Sequence, residues 1–157
     1  MTLNHLLIKF ARLLGVKPEN YMISQNLIDS VKLGEGLRLL SYRCSAGKLT
    51  IGYGRNLDDC GITKEEAEYL LMHDLENALS EVEKLDWFNT LNNVRKDVIV
   101  EMCFNLGLPK LLKFTKMIKA IKDKDYVEAS KQMLDSKWAS DVKTRADRLA
   151  KRMELGV

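Results

Sequence analysis

Between Leu27 and Gly54 the apolar residues change period, and that change constrains the fold more than any other feature of the chain. Leu27, Ile28, Val31 and Leu33 recur at helical spacing, whereas LSYRC from Leu40 and KLTIGYG from Lys48 alternate as strands do. A short helix therefore ends near Glu35 and the chain turns into a small antiparallel pair, which predicts an α+β fold. Ser45-Ala46-Gly47-Lys48 reads as the hairpin turn and would bring Cys44 and Thr50 near each other. Gly52-Tyr53-Gly54 then allows a close approach of backbone or ligand.

A helix-end carboxylate facing a sheet with a thiol and a hydroxyl has the makings of a site. Hydrolysing a glycosidic bond takes an acid to protonate the leaving oxygen and, for inversion, a group opposite it that holds and activates water. Glu35 suits the acid, and Cys44 with Thr50 suits the water. Each also has an ordinary explanation: a solvated helix-end Glu, a small core Cys, a Thr chosen for β propensity.

With 157 residues, 46% of them apolar and 30% charged, the chain can bury a real core. The formal net charge of +3 comes from 25 basic and 22 acidic residues that are interspersed, so no nucleic-acid footprint is expected. Cys44, Cys60 and Cys103 are odd in number and lack metal spacing, which favours reduced thiols in a cytoplasm. Leu3, Leu6, Leu7, Phe10, Leu13 and Leu14 mark an amphipathic helix expected to pack on the body, with no stable membrane insertion. Gly15 and Pro18 end it.

Arg55 to Gly61 reads as a polar turn, and Thr63 with Glu66 as a capping box opening a long helix with an apolar face from Ala67 to Val82. Val94, Val98, Met102 and Cys103 form one later apolar face; Leu111, Leu112, Phe114, Ile118 and Ile121 form another, with Gly107 and Pro109 as stop signals between them. Asp125 with Glu128 and Thr144 with Asp147 are further helix-start signatures. His73 is expected in solvent, and Trp138 in the core.

The pattern E-x8-C-x5-T, followed by IGYGRNL, closely resembles the phage-type lysozymes of glycoside hydrolase family 24, in which the middle residue is usually Asp and in some members Cys. The resemblance continues through GITKEEAE, Phe104 with Gly107, Phe114-Thr115, and KW with RADR, and covers roughly Leu27 to Arg152. It implies a single lysozyme-like domain: an extra N-terminal helix and link (1–24), the catalytic helix end and a three-stranded β-lobe near Tyr42 to Leu57 (25–62), a long connecting helix (63–85) and a helical lobe (86–157), with the substrate cleft between lobes. Glu35 would be the general acid, Cys44 and Thr50 would manage the nucleophile, and Asn105, Arg145, Tyr42 and Phe114 would contact substrate. Arg55 and Asp74 would form a structural ion pair near the site. Arg145 approaching Glu35 would favour the carboxylate, whereas a general acid must keep its proton.

The implied function is an endolysin-type muramidase acting on peptidoglycan as a monomer, without metal or cofactor. It would be held in the cytoplasm of the producing cell and reach the wall through a holin-like pore. Some relatives have a releasable N-terminal anchor whose cysteine masks the catalytic one; no cysteine precedes Cys44 here, so that switch is not expected. Three roles stay open for Cys44: orienting water, acting as thiolate base, or attacking the sugar carbon. A binding-only protein and a lytic transglycosylase, in which Glu35 serves as both acid and base, are the alternatives.

Overall fold

The computed structural model describes residues 22–157, so the expected N-terminal helix lies outside the described residues. The chain divides into two compact units, Met1–Ile62 and Thr63–Val157.

In the first unit, helix α1 (Gln25–Glu35) starts where the Ser24 hydroxyl accepts the Leu27 N–H at 3.2 Å, and it ends at Gly36, whose φ of +67° a side chain would resist. Strands β1 (Arg38–Arg43), β2 (Leu49–Gly52) and β3 (Arg55–Asn56) form an antiparallel sheet in the order β1-β2-β3. The sheet thus begins four residues before Tyr42, where sequence placed it. Tyr42 pairs with Thr50, and Arg43 with Leu49, but Arg38 pairs with Gly52, so β1 bulges between Arg38 and Tyr42. Because Thr50 also pairs with Asn56, it is held from both sides in the central strand and is buried.

The segment read as a polar turn contains a one-turn helix, α2 (Leu57–Cys60), capped by the Asn56 side chain. The Asp58 carboxylate accepts the Leu49 N–H at 2.9 Å, and Asp59 pairs with Lys48 at 2.7 Å, which fastens this turn to the start of β2.

The second unit is helical: α3 (Lys64–Val82), a 3-10 turn (Phe88–Thr90), α4 (Asn93–Leu106), α5 (Leu108–Leu111), α6 (Thr115–Lys122), α7 (Tyr126–Leu134), α8 (Lys137–Val142) and α9 (Thr144–Leu155). The Thr63 and Glu66 side chains exchange hydrogen bonds with each other's backbone N–H, as the capping box requires. Asp125 caps α7 as expected, but α9 departs from expectation: Thr144 is already helical, and the residue before it is Lys143, at φ +47° with no capping side chain.

The core takes Val98, Ile99, Met102 and Cys103 from α4 and Leu149 and Met153 from α9. Met117 and Met133 are also fully enclosed, and an unbranched thioether fills irregular gaps between short helices well. Each such side chain contributes about 1.5–3 kcal/mol through burial. Leu112, expected inside, is 41% exposed, because the Leu108–Leu111 turn directs Leu111 inward instead. Pro109 stands in the first turn of α5 rather than stopping a helix; Gly107, at φ +75°, makes the break.

Arg95 closes the end of α9. Its Nε donates to the Met153 carbonyl at 2.7 Å and Nη2 to that of Glu154 at 2.9 Å, and its guanidinium lies 3.6 Å from the centre of the Tyr126 ring. No helix among the described residues is long and apolar enough to cross a membrane.

Candidate active site

Glu35 is the last residue of α1, so its side chain leaves the helix where Gly36 redirects the chain. Its carboxylate lies directly against Gly54: a β-carbon there would sit 2.7 Å from Oε2. The Gly-x-Gly turn between β2 and β3 is therefore the wall on which this carboxylate rests, as the sequence suggested for a close approach.

Cys44 follows β1, and its N–H donates to the Lys48 carbonyl at 3.0 Å, closing the Ser45–Gly47 turn. The thiol is drawn below its ordinary value, first by the backbone N–H of Ala46, then by that of Lys48, with burial opposing them and the Thr50 hydroxyl adding to the effect. The Thr50 hydroxyl also donates to the Lys48 carbonyl at 3.0 Å. It has one proton for two acceptors, so it serves the carbonyl while the sulfur is a thiol and can turn to the sulfur when that becomes a thiolate. Cys44 and Thr50 thus meet across the hairpin. The other two thiols differ: Cys60 is exposed at the end of α2, and Cys103 is buried, its thiol pushed up to about 11 by burial and by the Glu81 carboxylate, whose Oε2 accepts from Sγ at 3.6 Å.

Tyr42, one pair from the turn, lies under the Arg38 guanidinium, 4.3 Å from the ring centre. Arg55 donates its Nε–H to the Gly61 carbonyl at 2.8 Å within the first unit; Asp74, its expected partner, belongs to α3 of the second.

In the helical unit, Asn105 near the end of α4 accepts the Trp138 indole N–H at 2.8 Å, and Trp138 meets Phe114 edge to face at 6.1 Å between ring centres. Trp138 is a core residue, as expected, and this bond fixes which way the Asn105 amide points. Phe114 and Trp138 line a groove of about 600 Å³. Arg145 instead borders a separate hollow of about 660 Å³ with Phe104 and Glu101, and it shares the Glu101 carboxylate, at 3.7 Å, with Arg148 at 2.6 Å. Asn105 and Phe114 are therefore linked through Trp138.

The profile of the phage lysozyme family matches residues 32–154, which include Glu35, Cys44 and Thr50. The chain belongs to the phage lysozyme family. An endolysin of Acyrthosiphon pisum secondary endosymbiont phage 1 is 34% identical to this phage lysozyme relative over 126 residues, 74% of this chain and 80% of its own. A Dictyostelium discoideum protein named "Probable T4-type lysozyme 1" is 29% identical over 158 residues, covering 82% of this chain and 93% of its own. Membership of the family makes the protein a glycosidase of the lysozyme type with the α+β fold expected of one.

Side chains to which the sequence reading gave no role brace the hairpin that carries Cys44. Arg43 donates Nη1 to the Gly47 carbonyl at 2.7 Å, and Lys48, Asp58 and Asp59 tie the hairpin to α2.

Proposed function

We propose that the protein is an endolysin-type muramidase that hydrolyses the β-1,4 bond between N-acetylmuramic acid and N-acetylglucosamine in peptidoglycan. Glu35 protonates the leaving oxygen, and Cys44 with Thr50 holds and activates water on the opposite face of the sugar. The observation that carries this reading is the pairing of Cys44 with Thr50 at a turn whose amides favour the thiolate, in the unit that also presents Glu35 against Gly54. An ordinary thiol, with a pKa of about 8.5, is a poor base at neutral pH; amide donors make it a better one. Asn105 and Phe114 supply an amide and an aromatic edge for the N-acetyl sugars, and Tyr42 and Arg145 further contacts. The enzyme acts as a monomer once a holin-like pore or lysis by other means gives it access to the wall.

The same thiolate favours a second reading, in which Cys44 attacks the sugar carbon. Inversion and retention separate the two, because direct displacement by water inverts the anomeric carbon and a covalent intermediate retains it. NMR of the first product anomer decides between them, and inversion is expected.

The primary test digests purified peptidoglycan with wild type, Glu35→Gln and Cys44→Ser side by side. Reducing N-acetylmuramic ends should appear with wild type, vanish with Glu35→Gln and fall steeply with Cys44→Ser. An anhydro-muramic product would identify a transglycosylase. Sedimentation with the wall and no released ends would leave only a glycan-binding protein.

A further inference from the structure

The hairpin turn that carries Cys44 is braced by side chains to which nothing so far assigns a part in the reaction. The Arg43 guanidinium grips the Gly47 carbonyl at 2.7 Å; the Gly47 N–H in turn donates to the Cys44 carbonyl at 2.8 Å, and the Cys44 N–H to the Lys48 carbonyl at 3.0 Å. Gly47 closes this ring at φ +76°. On the other side the Lys48 ammonium is engaged by Asp59 at 2.7 Å, and the Asp58 carboxylate holds the Leu49 N–H. The turn is thus tied outward through a carbonyl and through the start of β2, and the backbone amides of Ala46 and Lys48 draw the thiol below its ordinary value.

We propose that Arg43 is a positioning residue for Cys44: by gripping the Gly47 carbonyl it aims the Ala46 and Lys48 N–H groups at the sulfur, so that peptide dipoles activate the thiol. The inference rests on Cys44 being a reacting group, as proposed above. Successive backbone N–H groups in a tight turn form a concavity that binds an anion. Such a cradle differs physically from activation by a nearby cation, whose field at an exposed site is screened by salt. Lys48, the cation nearest in sequence on the far side of the turn, is committed to Asp59. Arg43 accordingly acts through the backbone that it holds, and its removal lets the amides swing away from the sulfur.

The test follows iodoacetamide alkylation of Cys44 against pH in a Cys60→Ser background, where Cys103 is protected by burial. The background protein, Arg43→Gln and Gly47→Ala are compared, with circular dichroism confirming the fold of each. In both variants the midpoint of the profile should move to higher pH, with slower alkylation at neutral pH and the same limiting rate in base. The background profile should be unchanged in about 1 M salt, where the screening length falls to about 3 Å. An Arg43→Gln profile that superimposes on the background overturns the proposal. So does a background midpoint that rises in salt to the Arg43→Gln value, because the guanidinium charge alone would then suffice. If Arg43→Gln fails to fold, Gly47→Ala alone decides, since it disturbs the turn without changing any charge. Alkylation needs no turnover, so a protein that releases no reducing ends but shows these shifts would refute only the muramidase reading.

Discussion

Replacing Gly54 with alanine should impair catalysis far more than stability, and Gly52→Ala supplies the control. Both residues have a left-handed backbone, φ +79° at Gly54 and +67° at Gly52. An L-residue held there costs about 1–2 kcal/mol, offset by about 0.4–1 kcal/mol because alanine leaves the unfolded chain less freedom to lose. The net loss is about 1 kcal/mol in either variant. Their surroundings differ: nothing lies within 4 Å of a β-carbon at Gly52, whereas one at Gly54 would meet Glu35 Oε2 at 2.7 Å and Cδ at 3.1 Å. Ordinary contact begins at 3.4 Å, so the carboxylate must retreat by 3.4 − 2.7 = 0.7 Å. The Glu35 side chain can swing, so the move adds little to the stability loss. A displacement of about 1 Å at a reacting group costs on the order of 100-fold in rate, and we expect kcat/KM to fall about 10- to 100-fold. Urea unfolding and initial rates of reducing-end release measure the two effects separately. Equal activity in Gly54→Ala and Gly52→Ala would refute the placement of the acid against this turn.

Leu149→Ala, which opens a void where α9 meets the core, should cost about 2–5 kcal/mol in urea unfolding. Arg95→Met removes two hydrogen bonds to the last carbonyls of α9 and the cation over Tyr126, and should cost about 1–3 kcal/mol by the same measurement. The Cys103 thiol is raised from 9.0 to about 11, so folding favours its neutral form; that contribution is whole below pH 9.0 and is lost as pH rises through about 11. Cys103→Ala should therefore flatten the fall in stability over that range, as urea midpoints taken against pH would show. Cys44 has the opposite sign: its folded value is lowered, so its contribution is present above the ordinary thiol range and lost as pH falls through the lowered value.

What the sequence determined by itself is local in origin. A switch from helical to alternating period, a Gly after Glu35 and a Thr-x-x-Glu cap act over one or two turns of chain, and α1, the hairpin and the start of α3 follow from them. The meeting of Cys44 and Thr50 is legible for the same reason, because a short turn brings its two flanks together whatever surrounds it.

Only tertiary structure decided the rest. Lys143 adopts φ +47° and Thr144 loses its capping role, although nothing in the residues nearby announces either. Leu111 is buried and Leu112 exposed, a choice that adjacent leucines do not encode. Asn105 and Trp138 are 33 positions apart, and their bond depends on how α4 and α8 pack. The bracing of the Cys44 hairpin by Asp58 and Asp59 likewise depends on where α2 lies on the sheet. Periodicity and capping record which face of an element is apolar and where it ends; which side chains meet across elements is settled by close packing, where a shift of less than a side-chain diameter changes the partner.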